Sequence, residues 1–106
     1  MLDITELAVF KGQVLNGDGL KIVRFCSEWS GPCHIMEPIY EEMHARYTNS
    51  ASFYNIDIDN APLLKKSLGV TELPTILFYQ KGVIIDFITG LISREALIEK
   101  LEKAIK

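Results

Sequence analysis

The side chains able to do covalent chemistry here are Cys26, Cys33 and Ser30, the last two within the stretch Trp29-Ser30-Gly31-Pro32-Cys33. A cysteine attacks as its thiolate, whereas a serine hydroxyl is not ionised near neutral pH without an adjoining base. No His or Asp is placed to activate Ser30, because His34 lies beyond Cys33; just ahead of a helix, a serine is expected as the N-cap. Two cysteines seven positions apart do not make the disulfide framework of a small secreted domain. A Cys26–Cys33 disulfide requires Cα atoms within roughly 7 Å. No metal site is expected from Cys26, Cys33, His34 and His44, since ten helical residues separate the histidines by about 15 Å. No cofactor is called for.

These residues need elements to hold them. Leu20 to Cys26 reads as a nearly continuous apolar strand, the pattern of a central strand covered on both faces. Arg24 interrupts it, and strand alternation sets Arg24 and Cys26 on one face. Pro32 opens a long helix at a position where its missing N–H costs nothing. Ile35, Ile39, Met43 and Tyr47, flanked by Met36 and Tyr40, are expected to form the buried face of that helix. Upstream, Thr5 is expected to cap a helix reaching about Leu15, closed by Asn16-Gly17-Asp18-Gly19. Downstream, Phe53–Ile58 predicts a strand and Pro62 to Leu68 a short helix ending at Gly69. Thr75–Tyr79 and Val83–Ile88 predict a hairpin turning at Lys81-Gly82. Ser93 caps a final amphipathic helix. This order predicts an α/β fold, a central mixed β-sheet flanked by helices on both faces.

A chain of 106 residues, 48% apolar, suits a single domain over 1–106. A net charge of −3 with scattered lysines and arginines excludes nucleic acid as a partner. No apolar run approaches the roughly 20 residues of a membrane span, so no membrane is expected. The N-terminus shows no basic segment followed by an apolar stretch, and a reducing, cytoplasmic location is the expectation.

Trp29-Ser30-Gly31-Pro32-Cys33 between a buried strand and a helix, followed far downstream by Leu73-Pro74-Thr75 at the head of a strand, resembles the thioredoxin family. That family's motif is Trp-Cys-Gly-Pro-Cys with a distant cis-proline. Asp57-Ile58-Asp59, Lys81-Gly82 and Gly90 extend the likeness from about Gly17 to Lys106. The resemblance implies a thioredoxin fold and a role in thiol–disulfide redox homeostasis. It also implies that Pro74 is cis and beside Cys33. A groove lined by Trp29, Gly31, Pro32, Leu73, Pro74, Gly90 and Leu91 would hold an extended peptide or protein client.

The departures from the pattern change what the resemblance implies. In the family the first cysteine attacks a substrate disulfide and the second resolves the mixed disulfide. Ser30 stands at the first position, so a standard dithiol disulfide reductase is not expected. Cys33 remains, either as a buried inert thiol or as a single thiol for mixed-disulfide chemistry. By resemblance, Arg24 takes the place of a buried aspartate that helps deprotonate the second cysteine, and Cys26 that of an aromatic residue under the site. Arginine cannot act as a base, but its charge can attract a Cys33 thiolate. Alternatively Arg24 pairs with Asp57 or extends to the surface. Three readings follow: a redox protein with altered, monothiol chemistry; a redox-silent peptide-binding or chaperone-like module; and an engineered Cys-to-Ser variant of an oxidoreductase. Against the last, Arg24 and Cys26 depart from the pattern as well.

Overall fold

A computed structural model describes all residues, 1–106. Its elements in chain order are β1 (Leu2–Asp3), α1 (Leu7–Phe10) running on as a π-helical turn (Lys11–Leu15), β2 (Leu20–Cys26), α2 (Gly31–Tyr47), β3 (Ala51–Asp57), α3 (Pro62–Leu68), β4 (Thr75–Gln80), β5 (Val83–Thr89) and α4 (Arg94–Ile105). The sheet runs β1-β3-β2-β4-β5. β3 is parallel to both β1 and β2, while β4 is antiparallel to β2 and β5. The α/β class and mixed sheet are as expected.

Every residue of β2 is buried, because both faces of the central strand are covered. Val23 and Phe25 point to one face, where Phe10, Val14, Ile56, Leu64 and Leu77 complete a core beneath α1 and α3. Leu20 and Ile22 point to the other, against Met36, Tyr40 and Met43 of α2 and Leu97 and Leu101 of α4. Arg24 and Cys26 share the parity of Ile22 and so lie on the α2 side. The edge strand β5 leaves Val83, Ile84, Ile85 and Phe87 exposed.

Three local expectations need correction. Thr5 is not the cap of α1: Glu6 holds that position, without a side-chain cap bond. The strand β1 went unforeseen, since two residues carry no readable alternation. The buried stripe of α2 is Cys33, Met36, Tyr40, Met43 and Tyr47, and Ile35 is 62% exposed. Steps of four drift about 40° each around a helix, whereas alternating steps of three and four hold one face.

The hairpin turn places Lys81 (φ 52°) and Gly82 (φ 77°) in the left-handed region, as a two-residue turn between twisted strands requires. Ser93 accepts a bond from the Ala96 N–H at 3.1 Å and caps α4. Arg94 binds Glu42, and the Tyr47 hydroxyl donates to Glu102 at 2.7 Å, tying α4 to α2. No helix is long and apolar enough to cross a membrane.

Candidate functional site

The site lies at the sheet end where β2 stops, β4 begins and β5 finishes. Phe25 pairs with Thr75, so one step onward the register sets Cys26 opposite Pro74. The Leu73–Pro74 peptide bond is cis. Thr75 also pairs with Thr89, and the Gly90 N–H donates to the Pro74 carbonyl at 2.8 Å, fixing Gly90 and Leu91 beside Leu73 and Pro74. Gly90 sits at φ 76°, and a Cβ there would meet the Glu72 carboxylate at 3.1 Å. Both facts favour glycine.

The turn from β2 into α2 is held locally. Ser27 Oγ donates to Asp59 at 2.6 Å and accepts from the Trp29 N–H at 3.2 Å. Ser30 Oγ accepts from the Cys33 N–H at 3.2 Å, making it the N-cap of α2. His34 Nε2 faces the Glu28 carbonyl at 2.5 Å, away from any role as base to Ser30. Trp29 is 83% exposed; Gly31, Pro32, Ile35 and Leu91 are exposed as well, while Leu73 is half-buried and Pro74 buried.

Beside the turn from β2 into α2 lies a cavity of about 180 Å³, lined by Arg24, Cys26, Cys33, His34, Asn55 and Asp57, with Ser27, Glu28 and Glu37 at its walls. Cys33 is only 4% exposed and Cys26 only 6%; both are free thiols. Burial, and after it contact with the Cys33 thiol, pushes the Cys26 thiol up, against the opposing pull of the Arg24 charge.

Arg24 is also 6% exposed. Neither alternative foreseen for it occurs: it does not pair with Asp57 and does not reach the surface. Its Nε donates to Asn55 Oδ1 at 3.0 Å, and its guanidinium stacks 5.0 Å from the Tyr40 ring centre. Its Nη1 is buried with no hydrogen-bond partner. Asp57 is occupied locally, accepting from the Asp59 N–H at 2.9 Å and Asn60 Nδ2 at 3.1 Å. Asn55 donates in turn to Asp3 at 3.2 Å, so the short β1 delivers a distant carboxylate to Arg24 through an amide.

Asn55 and Tyr40 are the site residues that sequence reading missed. Asn55 had a signal, as the lone amide in the apolar run Phe53-Tyr54-Asn55-Ile56 and the register partner of Arg24. The Tyr40 hydroxyl lies 3.1 Å from the Ile22 carbonyl and 2.9 Å from that of Tyr54, so its single proton is shared inside the sheet. Burial pushes this phenol well up from its ordinary value. His44 packs edge-on against Phe53, with ring centres 5.5 Å apart.

The thioredoxin family model matches residues 2–103. The chain belongs to the thioredoxin family. It is 31% identical over 103 residues to a thioredoxin of Rickettsia typhi, covering 97% of each chain. Thioredoxin 2 of Chlorobaculum tepidum is 28% identical over 96 residues, covering 91% of this chain and 88% of its own. Among solved structures, a Malassezia sympodialis thioredoxin superposes with a TM-score of 0.90 at 25% identity, covering 100% of this chain and 91% of its own. A Plasmodium falciparum thioredoxin reaches 0.87 at 31% identity, covering 97% and 98%. The thioredoxin match therefore begins well before Gly17 and takes in β1 and α1.

Proposed function

We propose that this thioredoxin-family protein holds extended segments of protein clients in the groove beside Pro74 and does not reduce disulfides by the dithiol cycle. The observation that carries this reading is the separation of surface from thiol: Trp29 is 83% exposed while neither cysteine exceeds 6%. Exposed aromatic and aliphatic side chains are the material of peptide recognition. Leu73, Pro74, Gly90 and Leu91 form one wall of the groove, and Trp29, Gly31 and Pro32 the other. Ser30, at the place the family resemblance gives to the attacking cysteine, serves as a helix cap. The cytoplasmic location belongs to the same proposal, since a reducing compartment leaves both thiols free.

A second reading, monothiol exchange at Cys33, draws support from the cavity, which reaches that sulfur from outside. Dithiothreitol-coupled reduction of a protein disulfide separates the two. The binding reading expects turnover indistinguishable from the dithiothreitol blank. Turnover above the blank that disappears in Cys33→Ala supports the exchange reading instead.

A further inference from the structure

The cavity beside the turn from β2 into α2 holds groups that peptide binding does not use. Cys26 ends β2 and Cys33 lies in the first turn of α2, and both line the cavity as free thiols in mutual contact. Arg24 lines it too, nine-tenths buried, with Nε on Asn55 and Nη1 unpartnered. A buried guanidinium with an open donor is costly until an anion or acceptor meets it. Besides the carboxylates of Glu28, Glu37 and Asp57, these walls hold two oxidisable sulfurs. We propose that Cys26 and Cys33 are a redox pair of their own, closed to an intramolecular disulfide by a small, neutral peroxide that enters the Arg24-lined cavity.

Access selects the oxidant. With both thiols at most 6% exposed, a cavity of about 180 Å³ gives a small molecule an approach to them that the surface of a folded protein lacks. Glu28, Glu37 and Asp57 on the walls repel anionic oxidants and leave a neutral one unopposed. Cys33, in the first turn of α2, acts first, and Cys26, at the end of β2, resolves.

In the first step the Cys33 sulfur, its proton lost, bonds to one peroxide oxygen. The O–O bond breaks, the departing hydroxide takes up the Cys33 proton as water, and Cys33 becomes a sulfenic acid. The Cys26 sulfur then displaces hydroxide from the Cys33 sulfur; an S–O bond breaks and the S–S bond forms. That hydroxide leaves as water with the Cys26 proton. In sum, two thiols and one hydrogen peroxide give one disulfide and two waters, with two electrons passing from sulfur to oxygen.

The test titrates the reduced, full-length protein, freed of reductant, with hydrogen peroxide and reads its intact mass without reductant. Stoichiometric peroxide should remove both free thiols with the loss of two hydrogens. Peptide mapping should find Cys26 joined to Cys33, and dithiothreitol should reverse the change. Cys26→Ala should stop at a sulfenic acid on Cys33 that dimedone captures. Arg24→Gln, which removes the cationic charge beside Cys26, should slow closure of the disulfide about tenfold. Two thiols persisting under excess peroxide overturn the proposal, as do oxygen additions or intermolecular dimers in place of hydrogen loss. The wild-type cross-link map stands without any variant having to fold. Peptide binding is measured separately, so either proposal can fail alone.

Discussion

Two layers meet at the end of the sheet: Trp29, Pro32 and Leu91 at the surface, and the buried Arg24, Cys26 and Cys33, which line one cavity. The upper layer is apolar, exposed and without a thiol. The lower one is buried and holds both thiols, a guanidinium and an amide. The turn that joins them fixes Ser30 with its oxygen on the Cys33 N–H. In a dithiol enzyme an attacking sulfur must belong to both layers, exposed to the client and in contact with its resolving partner. No residue of this chain does. The contrast teaches that one scaffold end can keep an exposed apolar rim and its thiols apart by depth alone.

The contrast can be broken most severely from below. Tyr40 supports Arg24 through its ring and the sheet through its hydroxyl. Tyr40→Ala should therefore lower unfolding stability by about 3–5 kcal/mol, read from urea midpoints, as expected for a large buried side chain. At the surface the balance reverses. Trp29→Ala should leave stability within about 0.5 kcal/mol of the parent. It should weaken binding of an extended peptide by about 2 kcal/mol, roughly thirtyfold, as an exposed aromatic anchor does; titration calorimetry reads this. The joint between the layers responds at an intermediate scale: Ser30→Ala should cost about 1 kcal/mol through the lost cap.

A further effect is a pH dependence. The Cys26 thiol is pushed up from its ordinary value of 9.0, chiefly by burial. Below that value the thiol is protonated in both folded and unfolded chains and contributes its full share. Above it the unfolded chain releases the proton and the folded chain keeps it, so stability falls as pH rises. Tyr40, also raised by burial from an ordinary value of 10.0, adds to the fall at higher pH. Urea midpoints measured across the alkaline range should decline, and Cys26→Ala should flatten the earlier part of that decline.

Much of the frame was legible in the residues. The unbroken apolar run of β2, Pro32 at the start of α2, Ser93 before α4 and Lys81-Gly82 in the hairpin are local signals with local causes. Strand parity also set Arg24 and Cys26 on one face, which in the structure is the face that α2 covers. What escaped depends on long-range geometry. Arg24 turns to Asn55 rather than Asp57 because β2 and β3 pair in parallel with 24 opposite 55. Asp57, at the strand end, closes its own turn instead. Ile35 misled because a spacing of four imitates a stripe over a turn or two and then drifts off it. The asparagine link from Asp3 to Arg24 required β1, which is too short to announce itself.

The most direct test of binding without exchange uses the chain's single tryptophan as its probe. The intact protein is titrated with an extended peptide carrying one disulfide, Trp29 fluorescence is followed, and samples are acid-quenched for intact mass without reductant. The account predicts a saturable, reversible fluorescence change and no covalent adduct at any peptide concentration. A mixed disulfide between the peptide and Cys33, accumulating with binding, would contradict it.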